Sequence, residues 1–81
     1  MRKDDARVAK AFSVVLRERR LAAGLTQETL AHEADLERTY ISFLERGLRQ
    51  PSLRVLVAIA EALNVAPSEL VRQLEGRLKS K

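Results

Sequence analysis

Residues 26–46 read TQETLAHEADLERTYISFLER. Thr26 is a residue type that starts helices, because its hydroxyl can accept from an amide that the first turn leaves unpaired, and Glu28 adds the negative charge that a helix dipole favours there. Leu30, Ala31 and Ala34 follow at helical spacing as the buried side of a short helix ending near Ala34. Asp35 and Leu36 interrupt the pattern. Residues 37–46 resume it, with Ile41, Leu44 and Leu48 on one side and Gly47 placed to terminate the helix. Two short helices across a turn of about three residues cannot bury a core between them, so this stretch needs supporting helices on both sides.

The flanks supply them. Val8, Phe12, Val15, Leu16 and Arg19 recur at helical spacing, and Gly24 stops that first helix near Ala22 or Ala23. After a loop at Arg49, Gln50 and Pro51, Ser52 caps a helix running to about Leu63, where Asn64 fits the stop. Ala66, Pro67 and Ser68 open a last helix, with Pro67 tolerated in the first turn. Leu70, Val71, Leu74 and Leu78 give that helix an apolar stripe, and fraying is expected after Glu75 or Gly76. The chain is therefore expected to be all-α, a compact five-helix domain over residues 1–81 with 1–5 and 77–81 frayed.

Hydrophobic residues make up 46% of the chain and charged residues 32%, a balance that suits a folded globular domain and not a disordered segment. Without cysteine there is no disulfide, thiolate nucleophile or cysteine-based zinc site, and the lone histidine, His32, reads as a solvated helix residue and not a metal ligand. No Ser/His/Asp arrangement or phosphate-cradling glycine loop occurs, so neither an enzyme nor a cofactor is expected. No apolar run approaches the roughly 20 residues that cross a bilayer, and residues 1–5 are charged with no signal-type apolar stretch behind them. A cytoplasmic protein with no membrane association is expected.

The net charge is +4, and its distribution is uneven. Seven basic residues against three acidic ones make residues 1–20 basic, and four against two do the same for 37–54, with the acidic Glu28, Glu33 and Asp35 between them. Such segments suit a polyanion if they converge on one face.

The bihelical unit itself has the geometry that reads double-stranded DNA, one helix fitting the major groove while its short, inclined partner braces it against the phosphates. On a wheel of about 100° per residue, Thr39, Ser42, Phe43 and Arg46 fall opposite Ile41, Leu44 and Leu48, with Arg38 and Tyr40 at the flanks. Arg38, near the helix start, has the fork that matches guanine O6 and N7, and Thr39 and Ser42 can bond a base edge or a phosphate. Phe43 either presses on thymine methyl groups or packs back on protein. Tyr40 can send its hydroxyl to a phosphate while its ring packs. Gln27 lies at a helix start, where amides and the dipole favour phosphate. Arg46 and Arg49 reach phosphates from the helix end and the following loop.

Several of these residues carry a family resemblance. Gly24, Leu25, Thr26, Gln27 and Glu28, then Leu30 and Ala31, then Arg38, Thr39, Tyr40, Ile41 and Ser42, then Leu44, Glu45, Arg46 and Gly47, then Pro51, Ser52 and Leu53 resemble the Cro/cI-type, or Xre, helix-turn-helix family. Ala60, Leu63, Asn64 and Val65 continue the likeness, and the run from Arg38 to Gly47 is similar to the small controller proteins of restriction-modification systems. The resemblance implies a sequence-specific transcription regulator with its third helix in the major groove. It implies base contacts at Arg38, Thr39, Ser42 and Phe43, a phosphate contact at Gln27, and a salt bridge between Arg20 and Glu45 that ties helix one to helix three. It also favours a homodimer.

Helices four and five carry more apolar positions than one face needs. In helix four, Leu53, Leu56, Val57, Ala60 and Leu63 can face the core, which leaves Val55, Ile59 and Ala62 as a second edge. Val55 and Ile59, with Val65 and with Leu70, Val71, Leu74 and Leu78 of helix five, are the expected dimer interface, unless five helices consume that surface internally. Symmetry then sets the two reading helices about 34 Å apart on an inverted-repeat operator. Regulation would come from blocking or recruiting RNA polymerase, a candidate partner. The alternative is a protein-interaction module, such as an antitoxin or polymerase adaptor, built on the same fold.

Overall fold

In a computed structural model of the chain, residues 3–79 are described, with side chains from residue 6 onward. They form α1 (Lys3–Ala22), α2 (Gln27–Glu33), α3 (Arg38–Glu45), α4 (Leu53–Ala62) and α5 (Pro67–Lys79), with no strand among the described residues. The expected all-α architecture is the observed one.

Local chemistry sets the boundaries. Thr26 Oγ1 accepts from the Thr29 amide at 3.0 Å at the start of α2, and Ser52 Oγ accepts from the Val55 amide at 3.1 Å at the start of α4. Each such cap is worth about 1 kcal/mol. Helices α1 to α4 all end in one motif. A left-handed residue follows the last turn, at Gly24 (φ 73°), Asp35 (φ 57°), Gly47 (φ 73°) and Asn64 (φ 59°). The amide after it then reaches back five residues, from Leu25 to the Arg20 carbonyl, Leu36 to Ala31, Leu48 to Phe43 and Val65 to Ala60, at 2.8 to 3.1 Å. Glycine takes this conformation without a Cβ clash, and Asn and Asp tolerate it best among the rest. Asp35 is thus a helix stop as well as a break in the pattern, and it shapes the turn between α2 and α3.

At a rise of about 1.5 Å per residue, the 20 residues of α1 span nearly the domain's longest dimension of 31 Å. Against this bar pack α3 and α5, while α2 bridges α3 and α4. Ala9, Phe12, Val15 and Leu16 of α1 meet Leu30 and Ala31 of α2, Ile41 and Leu44 of α3, Val55, Ile59, Ala60 and Leu63 of α4, and Leu70 of α5. Burying a Leu, Ile or Phe side chain is worth about 1.5 to 3 kcal/mol. Only Ile41 and Leu44 are buried apolar residues on α3, so its pose leans on polar contacts too.

Packing places several residues differently from their sequence spacing. Val55, Ile59 and Leu70, expected at a subunit interface, lie in the core and have no surface to offer a second copy. The inward stripe of α4 is Val55, Ile59, Ala60 and Leu63, at i, i+4, i+5 and i+8, and this turns Leu53 and Val57 outward. Leu53 is 81% exposed, Val71 is exposed, and Leu56, Val65 and Leu74 are half-buried. Leu48, expected with Ile41 and Leu44, is exposed because the Gly47 turn ends the helix before it and the wheel no longer applies.

The last helix also outruns its expected end. It continues through Gly76 to Lys79, and α1 is already helical from Lys3, so residues 3–5 and 77–79 belong to regular helices. Residues 1, 2, 80 and 81 lie outside the described residues. Arg77 pairs with Glu18 at 2.6 Å and Arg7 Nη1 donates to the Leu78 carbonyl at 3.2 Å, which ties the end of α5 to α1, while Lys79 pairs with Glu75 at 3.5 Å within α5. Leu78 sits half-buried in a cleft with Arg7, Lys10, Ala11 and Val14. Arg19 donates to Gln73 at 2.7 Å and pairs with Glu69 at 3.4 Å, so part of the basic charge of residues 1–20 is used between helices. Among the described residues no helix is long and apolar enough to cross a membrane.

Candidate nucleic-acid interface

With Ile41 and Leu44 turned inward, α3 presents Arg38, Thr39 and Arg46 as exposed residues and Ser42 and Phe43 as half-exposed ones. Tyr40 lies between, half-buried against the core. Glu37 leads into the helix in extended conformation (φ −83°, ψ 144°) without a side-chain capping bond. The candidate base readers therefore share the side of α3 that faces away from the core.

Glu45 is the one carboxylate within α3, and on a phosphate-facing surface it would repel. It is instead turned inward. Its Oε2 accepts from Arg20 Nε at 2.5 Å and its Oε1 from Arg20 Nη2 at 2.9 Å. The side chains are 9% and 2% exposed for Arg20 and Glu45. Arg20 Nη1 donates to the Leu25 carbonyl at 2.8 Å, and Gln27 Nε2 donates to Glu45 Oε1 at 3.1 Å. The hydrogen bond and charge of Glu45 raise the Arg20 pKa above its ordinary value, against an opposing effect of burial. One bidentate pair thus joins α1, the loop before α2, the first residue of α2 and the end of α3. Among the described residues no buried side-chain polar atom lacks a hydrogen-bond partner.

The contact to Glu45 also redefines Gln27. One amide hydrogen is given to the carboxylate, and a second hydrogen and the carbonyl oxygen remain in its inventory. Sequence alone pointed to the helix start as a phosphate site but held no signal that α3 would orient this carboxamide.

At the other end of α3, cations gather around an aromatic ring. The guanidinium carbons of Arg46 and Arg49 lie 5.9 Å and 5.4 Å from the Phe43 ring centroid, within cation–π range. Arg49 is brought there by the turn at Gly47, where the Leu48 amide bonds the Phe43 carbonyl at 3.0 Å. The exposed side of α3 and its following loop therefore carries Arg38, Arg46 and Arg49, with short hydroxyl side chains between. A fork-shaped donor beside hydroxyls can address base edges, and cations at the rim can address phosphates.

A helix-turn-helix family model matches residues 16–70, which include α2, the turn, α3 and α4. The chain belongs to the Xre-type helix-turn-helix family of transcriptional regulators. Control protein C.BamHI of Bacillus amyloliquefaciens is 46% identical over 61 residues, covering 74% of this chain and 75% of that protein. The solved restriction-modification controller C.AhdI of Aeromonas hydrophila is 45% identical with a TM-score of 0.74, covering 76% of this chain and 94% of its own. A second controller, C.Esp1396I, solved as a tetramer in complex with its natural 35 base-pair operator, is 33% identical with a TM-score of 0.81, covering 90% of this chain and 96% of its own.

Proposed function

We propose that this chain binds double-stranded DNA at specific sequences through α3 in the major groove, and regulates transcription as a homodimer on an inverted-repeat operator. The observation that carries this reading is the burial of Glu45 against Arg20, which removes the one carboxylate of α3 from the surface and leaves Arg38, Arg46 and Arg49 on the exposed side. Arg38, Thr39 and Ser42 contact bases; Gln27, Tyr40, Arg46 and Arg49 position the phosphate backbone. The activity is binding and not catalysis, it works in the cytoplasm, and its output is occlusion or recruitment of RNA polymerase at the operator.

Likeness to C.BamHI, C.AhdI and C.Esp1396I over most of each chain favours a controller-type regulator over an antitoxin or polymerase adaptor. The dimer contact is assigned to the apolar residues that the core leaves over. Leu53, Leu56 and Val57 form an i, i+3, i+4 stripe on α4, and Leu53 and Leu56 share with Val71 and Leu74 of α5 an apolar groove of about 210 Å³.

Selection from a random duplex pool, followed by electrophoretic shifts over a salt series, tests the reading. A recovered inverted repeat, bound far more tightly than bulk DNA and with affinity falling steeply as salt rises, is the expected result. Recovery of no common sequence would overturn it.

A further inference from the structure

We infer that Phe43 is a positioning residue: its ring holds Arg46 and Arg49 together as a two-guanidinium phosphate clamp, and it does not read bases. The inference rests on the DNA-binding function proposed above and assigns Phe43 a different part in it from the base contact expected at its position.

Three observations converge. Phe43 is only partly exposed, yet it is the one apolar side chain on a side of α3 otherwise made of polar and charged residues. Arg46 and Arg49 are both exposed, yet both guanidiniums lie over this ring, at 5.9 Å and 5.4 Å. Exposed arginines would otherwise spread apart, since they repel each other and gain rotamer freedom. The backbone is shaped to the same end. A helix continued past Arg46 would carry Arg49 onward along its axis, whereas the left-handed Gly47 and the bond from the Leu48 amide to the Phe43 carbonyl fold the loop back beside the ring.

The ring's quadrupole offsets part of the repulsion between the two cations while free of DNA. A phosphate arriving between them meets two ordered donors and neutralises the charge they share, so less freedom is lost on binding than from two free arginines. With both guanidiniums drawn to its π surface, the ring is engaged by arginine and not by a thymine methyl group. The clamp adds affinity for any sequence and no preference among them.

The test measures affinity for the selected operator and for an unrelated duplex over a salt series. The proteins are wild type, Phe43→Leu, Phe43→Tyr and Arg46→Gln/Arg49→Gln with and without Phe43→Leu, each checked for its fold by circular dichroism. Phe43→Leu is expected to weaken both duplexes by the same factor, roughly fivefold, with an unchanged selected sequence. Phe43→Tyr retains the π surface and should bind as wild type. In the Arg46→Gln/Arg49→Gln background, Phe43→Leu should have no further effect. Deoxyuridine in place of each operator thymine should leave the Phe43 dependence intact. A base preference that disappears with Phe43→Leu, a deoxyuridine substitution that abolishes its effect, or a full effect persisting without the two arginines would each overturn the clamp while DNA binding stands. A wild-type protein that selects no sequence overturns the DNA-reading function and the clamp with it.

Discussion

Arg20 grips Glu45 through both carboxylate oxygens, at 2.5 Å and 2.9 Å, across the 25 residues that separate α1 from the end of α3. The pair is almost fully buried and is extended by the Leu25 carbonyl on one side and the Gln27 amide on the other. Ile41 and Leu44 fix how deep α3 sits. The paired fork fixes its rotation, because two parallel hydrogen bonds resist a turn about the helix axis that apolar contacts alone would permit.

Breaking one side of this pair should be costly. Glu45→Leu leaves a buried guanidinium without its counter-charge, a loss of about 3 to 5 kcal/mol, against roughly 4 to 12 kcal/mol for a whole domain of this length. Arg20→Met combined with Glu45→Leu should recover most of that stability, since apolar replacement of both partners is often neutral. Operator affinity should not recover with it if the fork orients α3. Urea unfolding followed by circular dichroism gives the first quantity and electrophoretic shift the second. The raised pKa of Arg20 means its contribution is complete at every pH below the ordinary arginine range and fades only as pH climbs through the higher folded value. Raising the pH to about 9 should therefore leave this contribution untouched.

Two glycines with the same φ of 73° should respond differently to alanine. A Cβ on Gly24 would meet nothing within 4 Å, so Gly24→Ala costs only the left-handed strain, about 1 to 2 kcal/mol. A Cβ on Gly47 would lie 3.4 Å from Lys10 Cα, with Ser13 Oγ at 3.7 Å, where α3 ends against α1. Gly47→Ala should therefore lose more stability than Gly24→Ala in paired thermal melts. Equal losses would mean that α1 gives way freely at Lys10.

How much of this was legible beforehand depends on the range of the interaction. Gly24, Gly47 and Asn64 mark helix ends through their own backbone freedom, and Thr26 and Ser52 mark starts through their own hydroxyls, so a reading of residue types finds them. The outward side of α3 follows from Ile41 and Leu44 alone. The rotation of α4 does not. Its sequence, LRVLVAIAEA, is apolar nearly all round, and only contacts with distant elements, α2 and α5 among them, choose Val55 and Ile59 over Leu53 and Val57 for the core. The end of α5 and the Gln27 contact were hidden for the same reason, since Glu18 and Glu45 lie far away in sequence.

Arg38 should contribute sequence preference more than bulk affinity. It is exposed at the first position of α3, where its fork can address a guanine edge. Arg38→Ala is expected to weaken the preferred duplex by about 1 to 3 kcal/mol and to relax one base position in each half-site. Repeating the sequence selection with the variant checks this, and an unchanged profile would reject the assignment.

Residues on α4 should divide into two classes under charge substitution, and the division decides where a second copy docks. Ile59→Glu places a carboxylate in the core at a site with no exposure, and should unfold the domain. Leu53→Glu and Val71→Glu alter side chains already in solvent, at opposite rims of the apolar groove between α4 and α5. They should leave the circular dichroism spectrum and thermal melt near wild type. If the groove is the subunit contact, both variants sediment as monomers at concentrations where wild type is dimeric, and both lose operator affinity while a single half-site is bound as before, because only the linkage between two reading helices has been removed. Variants that remain dimeric would move the contact elsewhere on the surface. A wild-type protein that is monomeric at high micromolar concentration and binds a half-site as tightly as the full operator would rule out the dimer, and leave α3 to read DNA alone.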